Sequence, residues 1–237
     1  MIILIKVNLI FLFLKMITLL KNLATFIPLS ILRRLSTYRI LKRNFNLLKL
    51  GQEVVYDNKI SLYEAIINKI GRDNKLIYIE FGVFKGESIK YFVKNFTNKR
   101  NKFFGFDSFK GLPEDWNSGM KKKHFNLNGR MPIIDDKRCF FLKGLFQNSL
   151  PKFISKFKIK KNFQLLIHFD ADIYSSTLYS LVHTYNFKKK YFVIFDQFTG
   201  DECRAFNDFL TSHNKKFKIF GFTRYKNYPG QVFGEVF

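Results

Sequence analysis

"LIYIEFGVFKGESIKYF", residues 76–92, sets an apolar run against the start of a helical pattern and carries two glycines and two glutamates. A continuous apolar run of strand length predicts a strand buried on both faces. Gly82 then lets the chain turn without a Cβ, Gly86 permits close backbone approach or tight helix packing, and Glu87 and Ser88 open the helix. The spacing is E-x-G-x-x-x-G-x-S. A dinucleotide turn would read G-x-G-x-x-G, so that a pyrophosphate rests on the helix N-terminus; that glycine placement is lacking. Glu80 and Glu87 instead flank the turn with negative charge, which repels phosphate and welcomes an ammonium or sulfonium group.

Upstream, "SLYE" (61–64) has the form of a capping box, with Ser61 at the N-cap and Glu64 at N3; Leu62, Ala65, Ile66 and Ile70 share an apolar face and Gly71 is the stop. Downstream, short apolar runs alternate with helical patterns. The runs are KLIYIEF (75–81), KFFGFD (102–107), CFFLKG (139–144), QLLIHFD (164–170) and YFVIFD (191–196), with helices expected near 87–97, 147–156, 175–187 and 202–213. This predicts an α/β fold with a doubly wound, mostly parallel sheet. KFKIFGFTR and GQVFGEVF read as an antiparallel C-terminal pair, which brings the expected sheet to seven strands.

In an open parallel sheet the ligand crevice lies at the carboxyl ends of the strands, near the switch point. Glu80, Asp107, Asp170 and Asp196 end four of these runs and are expected on one rim. Asp107 can accept from ribose hydroxyls, so acids and turn together point to a nucleoside without phosphates.

Glu80, Gly82, Gly86 and Asp107 resemble the first two motifs of class I S-adenosylmethionine-dependent methyltransferases. FGFDSFKGLPEDW (104–116), FNLNGRMP (125–132), LKGLFQNSLPKF (142–153), FDADIYSSTLYSL (169–181) and FDQFTGDECRAFNDFL (195–210) are similar, in order and spacing, to the macrocin O-methyltransferase-like group. The similarity covers roughly residues 60–237. It implies a Rossmann-like methyltransferase fold, S-adenosyl-L-methionine as cofactor, and as acceptor a hydroxyl of a sugar in a glycan or glycosylated small molecule. It further implies that Glu80, Gly82 and Gly86 hold the methionine end, with Phe81 and Ser88 in the same cofactor-binding turn. Asp107 would hold the ribose, Ser108, Gly144 and Leu145 would border the adenine, and Asp170 would stand beside the reactive methyl.

Metal-dependent relatives add two adjacent acids after the fifth strand to bind magnesium. Here Asp196 is followed by Gln197. A Mg²⁺ site would then rest on Asp170, Asp196 and the Gln197 carbonyl, since this ion needs only one or two carboxylates when waters and substrate supply the rest. In the metal-free alternative Asp170 is the general base. His124 is another candidate base. It lies in the stretch from Lys110 to Pro132, which is long enough to be a lid and contains Trp116, Gly119, Phe125, Gly129 and the cations Lys121, Lys122 and Lys123. His168, two residues before Asp170, shares its side of the strand and is either a supporting partner or a core imidazole. Asp172 reads as a turn-holding residue.

The chain has 237 residues and a net charge of +23, from 41 Lys plus Arg against 18 Asp plus Glu. Such a field attracts nucleic acid, anionic lipid or acidic glycans, although a Lys-, Asn-, Ile- and Phe-rich composition also follows from AT-rich codons. A nucleic-acid-binding methyltransferase is the alternative this charge raises, against which the cations are scattered and no amino-methylation or RNA-binding motif is present. Cys139 and Cys203 are 64 positions apart and suggest neither zinc nor a disulfide. Residues 1–50 hold nine Lys or Arg and no acid, a composition boundary that separates a basic amphipathic segment from a methyltransferase domain over 51–237. Asn8, Lys15, Thr18 and Asn22 fall within roughly 80° at about 100° per residue, leaving a wide apolar remainder. The segment is expected to make peripheral membrane contact, with Arg33, Arg34, Arg39, Lys42 and Arg43 near anionic headgroups. The competing expectations are a helix capping its own domain or a homo-oligomer contact, and a membrane-surface scaffold that has lost catalysis. A cytoplasmic location at the inner face of the membrane fits the first of these readings.

Overall fold

The computed structural model describes residues 2–43, 45, 54–116, 120–225 and 228–237. Among them the chain runs α1 (Ile2–Ala24), α2 (Leu29–Arg43), β1 (Val55–Tyr56), α3 (Lys59–Ile70), β2 (Leu76–Phe81), α4 (Glu87–Asn95), β3 (Lys102–Asp107), β4 (Cys139–Lys143), α5 (Phe146–Lys156), β5 (Gln164–Phe169), α6 (Tyr174–Thr184), β6 (Tyr191–Phe195), α7 (Asp201–Ser212), β7 (Phe217–Tyr225) and β8 (Tyr228–Val236). One sheet has the order β1-β7-β8-β6-β5-β2-β3-β4, and it is parallel except where β8 meets β6 and β7. The expected doubly wound sheet with its antiparallel closing pair is present, with one strand more than seven. The extra strand, β1, has two residues and pairs with Phe222 and Thr223, too short to carry a sequence pattern.

The cap of α3 also differs from the expected one. Asn58, not Ser61, is the N-cap: its side chain accepts from the amides of Ile60 (2.9 Å) and Ser61 (3.0 Å). Asparagine caps as well as serine, and an earlier cap gains another turn of helix. Gly71 ends the helix as expected, at φ +92°.

Packing beneath the strand tips sets the level of the site. Phe81, Phe106, Phe169 and Phe195 occupy equivalent register positions on β2, β3, β5 and β6, and all four are fully buried. Neighbouring rings in this row lie 5.0–5.7 Å apart. Burying such a side chain is worth about 1.5–3 kcal/mol, so the row holds the four strands in register. The pleat sends the residues one step earlier to the other face of the sheet. Glu80 and His168, paired in register, therefore lie with Tyr63, Tyr78 and Phe92, away from the phenylalanine row.

The basic N-terminal segment is docked through its second half. α2 buries Thr37 and Leu41 toward α7, and Phe45 packs against Phe198, Phe206 and Phe217. Both cysteines are free thiols.

Candidate active site

The parallel pairing continues one residue past the strand ends. The amides of Gly82, Asp170, Asp196 and Gly144 donate to the carbonyls of Phe106, Phe81, Phe169 and Asp107, at 2.8–3.0 Å. Four chain segments thus leave the sheet at one level, around a cavity of ≈ 300 Å³. Asp107, Asp170, Asp172 and Asp196 line it, and among the described lining residues there is no Lys, Arg or His. In a chain with 41 Lys and Arg, an all-acidic cavity selects for a cation.

The opening turn owes its shape to its backbone. Gly82 has φ +89°, and a Cβ there would stand 1.8 Å from the Asp170 carbonyl oxygen. Gly86, at φ +76°, is the N-cap of α4, and its missing Cβ leaves room for Pro132. Between them Phe84 sits at φ +49°, a conformation costly for a bulky side chain. What holds it there is Asp107, whose Oδ2 accepts from the amides of Val83 and Phe84 (2.8 Å each) while Oδ1 accepts from Phe109 (2.7 Å). Asp107 therefore fixes the turn as well as facing the cavity, and its Oδ1 keeps a lone pair for a ligand hydroxyl.

Behind the rim lies a network of buried acids. Burial, and then the charge of Asp196, push the Asp170 carboxyl well above the usual range. Burial and Asp196 likewise raise Asp172 to about 7. Asp172 adopts φ +60°, which Asp tolerates better than most residues. Glu202, in the first turn of α7, is also raised by burial, and it accepts from the amides of Ala171 (3.2 Å) and Gln197 (3.0 Å). One carboxylate thereby ties the segment after β5 to the segment after β6. Gln231 of β8 donates through Nε2 to Asp196 Oδ1 and holds that carboxylate in place.

One step below the rim, the Tyr78 hydroxyl donates to Glu80 Oε2 (2.8 Å) and meets His168 Nδ1 at 2.9 Å. The His168 Nε2 is buried without a partner, and burial lowers the imidazole to about 4, which keeps the ring neutral. A ring nitrogen of His168 and one oxygen each from Asp170 and Asp196 lie within 4.8 Å of one another.

Of the residues singled out from the sequence, Gly82, Asp107, Ser108, Gly144, Leu145, Asp170, Asp196 and Gln197 line the cavity together. Glu80, Phe81, Gly86, Ser88 and His124 do not. Glu80 is enclosed between Tyr78 and Ser88, whose hydroxyl donates to its Oε1, and burial raises its carboxyl to about 8. Phe81 belongs to the core row. Gly86 packs on Pro132, and His124 is exposed with its ring against Phe125.

Of the stretch expected to be a lid, Gly111, Leu112, Pro113 and Phe125 line the cavity; its Gly119 lies outside the described residues. Leu112 and His124 bond through their backbones, and Ser175 on α6 donates to Glu114 at 2.5 Å. Lys121, Lys122 and Lys123 are exposed, with Lys121 paired to Asp115 at 3.3 Å. Phe84, Phe146, Gln147 and Ser176 line the cavity without having been anticipated. Phe84 meets Phe125 edge to face at 5.3 Å across it. Glu202 and Gln231 carried no signal, the first resembling an ordinary first-turn acid.

The sequence model of the macrocin O-methyltransferase (TylF) family matches residues 48–220. No curated protein matches the chain. Among solved structures, the calicheamicin methyltransferase CalS11 is similar at 15% identity with a TM-score of 0.54, over 87% of this chain and 93% of that one. An O-methyltransferase from Bacillus cereus in complex with SAH is similar at 13% identity with a TM-score of 0.50, over 85% and 90%. At these identities the two likenesses bear on the fold, which is that of a Rossmann-like methyltransferase. The family match covers most of the chain, so the chain belongs to the macrocin O-methyltransferase family and is an S-adenosylmethionine-dependent O-methyltransferase.

Proposed function

We propose that the acceptor is a hydroxyl of a sugar, in a glycan or a glycosylated small molecule, and that Asp170 readies it for methylation. The observation that carries this reading is the cavity with four aspartates and no cation. S-Adenosylmethionine, when bound, supplies an electrophilic methyl on a cationic sulfur. Asp107 stands to accept from a ribose hydroxyl through Oδ1, with Ser108, Gly144 and Leu145 beside the base. Phe84 and Phe125 close over the cavity and exclude water. Asp170 takes the proton of the acceptor hydroxyl as the oxygen gains its methyl group. Its raised pKa does not oppose this role, because a neighbouring positive charge favours the ionised carboxylate. Asp196, held by Gln231, adds negative charge at the same point. Ser176 and Gln197 offer hydrogen-bonding groups suited to a polyhydroxylated acceptor. The remaining contribution is positioning.

A divalent cation is the finer part of the reading. Asp170, Asp196 and the orphaned Nε2 of His168 form a donor set of suitable spacing, with the Gln197 side chain on the same rim. Mg²⁺ would take the carboxylates and complete its shell with waters and acceptor hydroxyls, which it would orient. EDTA is then expected to suppress turnover and added Mg²⁺ to restore it. Turnover indifferent to both removes the metal and leaves Asp170 acting alone.

Two measurements test the function itself. Calorimetry should show S-adenosylmethionine binding to the folded chain, and glycoside acceptors should drive formation of S-adenosylhomocysteine. Asp107→Ala is expected to weaken cofactor binding about 10- to 100-fold, the loss of a charged hydrogen-bonding partner worth ~1.5–3 kcal/mol. Normal affinity in that variant would remove the ribose assignment, and no heat with the parent chain would remove the proposal.

A further inference from the structure

We propose that α1 and α2 dock the enzyme on an anionic lipid bilayer, with α1 lying in the apolar layer of one leaflet and the cations of α2 among the headgroups. The surface of α1 is the first ground. Ile10, Phe11, Leu12, Phe13 and Leu14 are consecutive and each is 54–70% exposed. At about 100° per residue, five consecutive positions point in every direction around a helix. A second copy of this chain, or any protein partner, would cover one stripe; only an apolar phase covers all sides. Among the described residues, 16 exposed large hydrophobic side chains fall within residues 10–38 and seven in all the rest of the chain. The methyltransferase domain itself has no such surface.

The polar groups of α1 are arranged for the same medium. The Thr18 hydroxyl donates to the Leu14 carbonyl (3.0 Å), and that of Thr25 to the Asn22 carbonyl (2.6 Å), so each is satisfied within the segment. Lys15 lays its ammonium over the Phe11 ring, 4.8 Å from the centroid, leaving a long stem free to reach a polar boundary. No single helix among the described residues is long and apolar enough to cross a membrane. A helix held within one leaflet has no need to be.

Charge identifies the lipid. Residues 1–52 contain no acid, and Arg33, Arg34, Arg39, Lys42 and Arg43 of α2 are exposed. A homodimer through this face would set these cations against one another, whereas phosphatidylglycerol or a similar headgroup neutralises them. The axes of α1 and α2 meet at a bend of 119°. Because α2 buries Thr37 and Leu41 toward α7, α1 can enter the lipid while α2 remains fixed to the enzyme.

Flotation of the full chain with phosphatidylglycerol-rich vesicles, with pure phosphatidylcholine as control, tests this. The parent chain should float with the anionic vesicles, keep part of that binding at about 0.5 M salt where surface charge is screened, and lose at least about tenfold in the triple variant Phe11→Glu, Leu12→Glu, Leu19→Glu. Since these side chains are exposed, the variant should keep its melting temperature and its affinity for S-adenosylmethionine. Equal flotation of parent and variant would mean attraction by net charge alone and would overturn the proposal. So would a folded parent that stays with the pellet, or a concentration-dependent dimer that the variant abolishes without any vesicle binding.

Discussion

Asp170→Asn lowers turnover by about 10²- to 10⁴-fold, the range for removing a positioned proton acceptor, while S-adenosylmethionine affinity measured by calorimetry stays within a few-fold of the parent. The split follows from the environment of the group. Asp170 donates its amide to Phe81 and belongs to the level rim, so an amide side chain of the same shape leaves the rim intact. Burial and Asp196 hold its carboxyl well above the usual range, and an amide of the same size fits the same enclosed position. What asparagine cannot do is take a proton or give a carboxylate oxygen to an ion. The same variant therefore tests the general-base and metal-holding versions of the site together, and full activity in it removes both. Weak binding with normal turnover at saturation would place Asp170 in cofactor recognition instead.

Gly82→Ala has the largest expected effect on the fold of the site: a loss of at least about 3 kcal/mol in stability, read as a lower urea midpoint at unchanged slope, together with loss of cofactor binding. The added Cβ would stand 1.8 Å from the Asp170 carbonyl oxygen, and the residue would have to keep φ +89°. Neither side can give way easily. Gly82 donates its amide to Phe106 and Asp170 donates to Phe81, so both backbones are pinned just above the buried phenylalanine row. Gly144→Ala is the internal comparison. It shares the positive φ, at +138°, but the atom nearest to a Cβ placed there is 4.0 Å away, so only backbone strain of about 1–3 kcal/mol opposes it. Equal effects at the two glycines would show that the close approach at Gly82 is not what shapes the turn.

Much of this was legible in the chain because its signals are local. Continuous apolar runs gave the five parallel strands, and the acids ending them gave the rim positions of Asp107, Asp170 and Asp196. Glu80 stays out of the cavity because of its level rather than its side: it pairs in register with His168, two residues before Asp170, and its carboxyl meets Tyr78 and Ser88 there. Ser61 lost the cap to Asn58 because two competent capping residues stood three positions apart. Phe84 and Phe125 entered the cavity through left-handed backbone, which a sequence advertises only at glycine and asparagine. Glu202 and Gln231 act on residues 31 and 35 positions away, across elements whose neighbours only the sheet order reveals.

That order has a consequence for biosynthesis. The hairpin's second arm, β8, is wedged between β6 and β7, and it brings Gln231 to Asp196. A ribosome-bound chain that has delivered every rim aspartate still lacks the strand that bridges them to the sheet's far edge, and closing that gap demands contacts of long sequence separation, which form slowly. Asp196 is therefore not fixed until β8 has paired with β6, and a chain folded only through β6 would hold the rim acids without the strand that steadies this one.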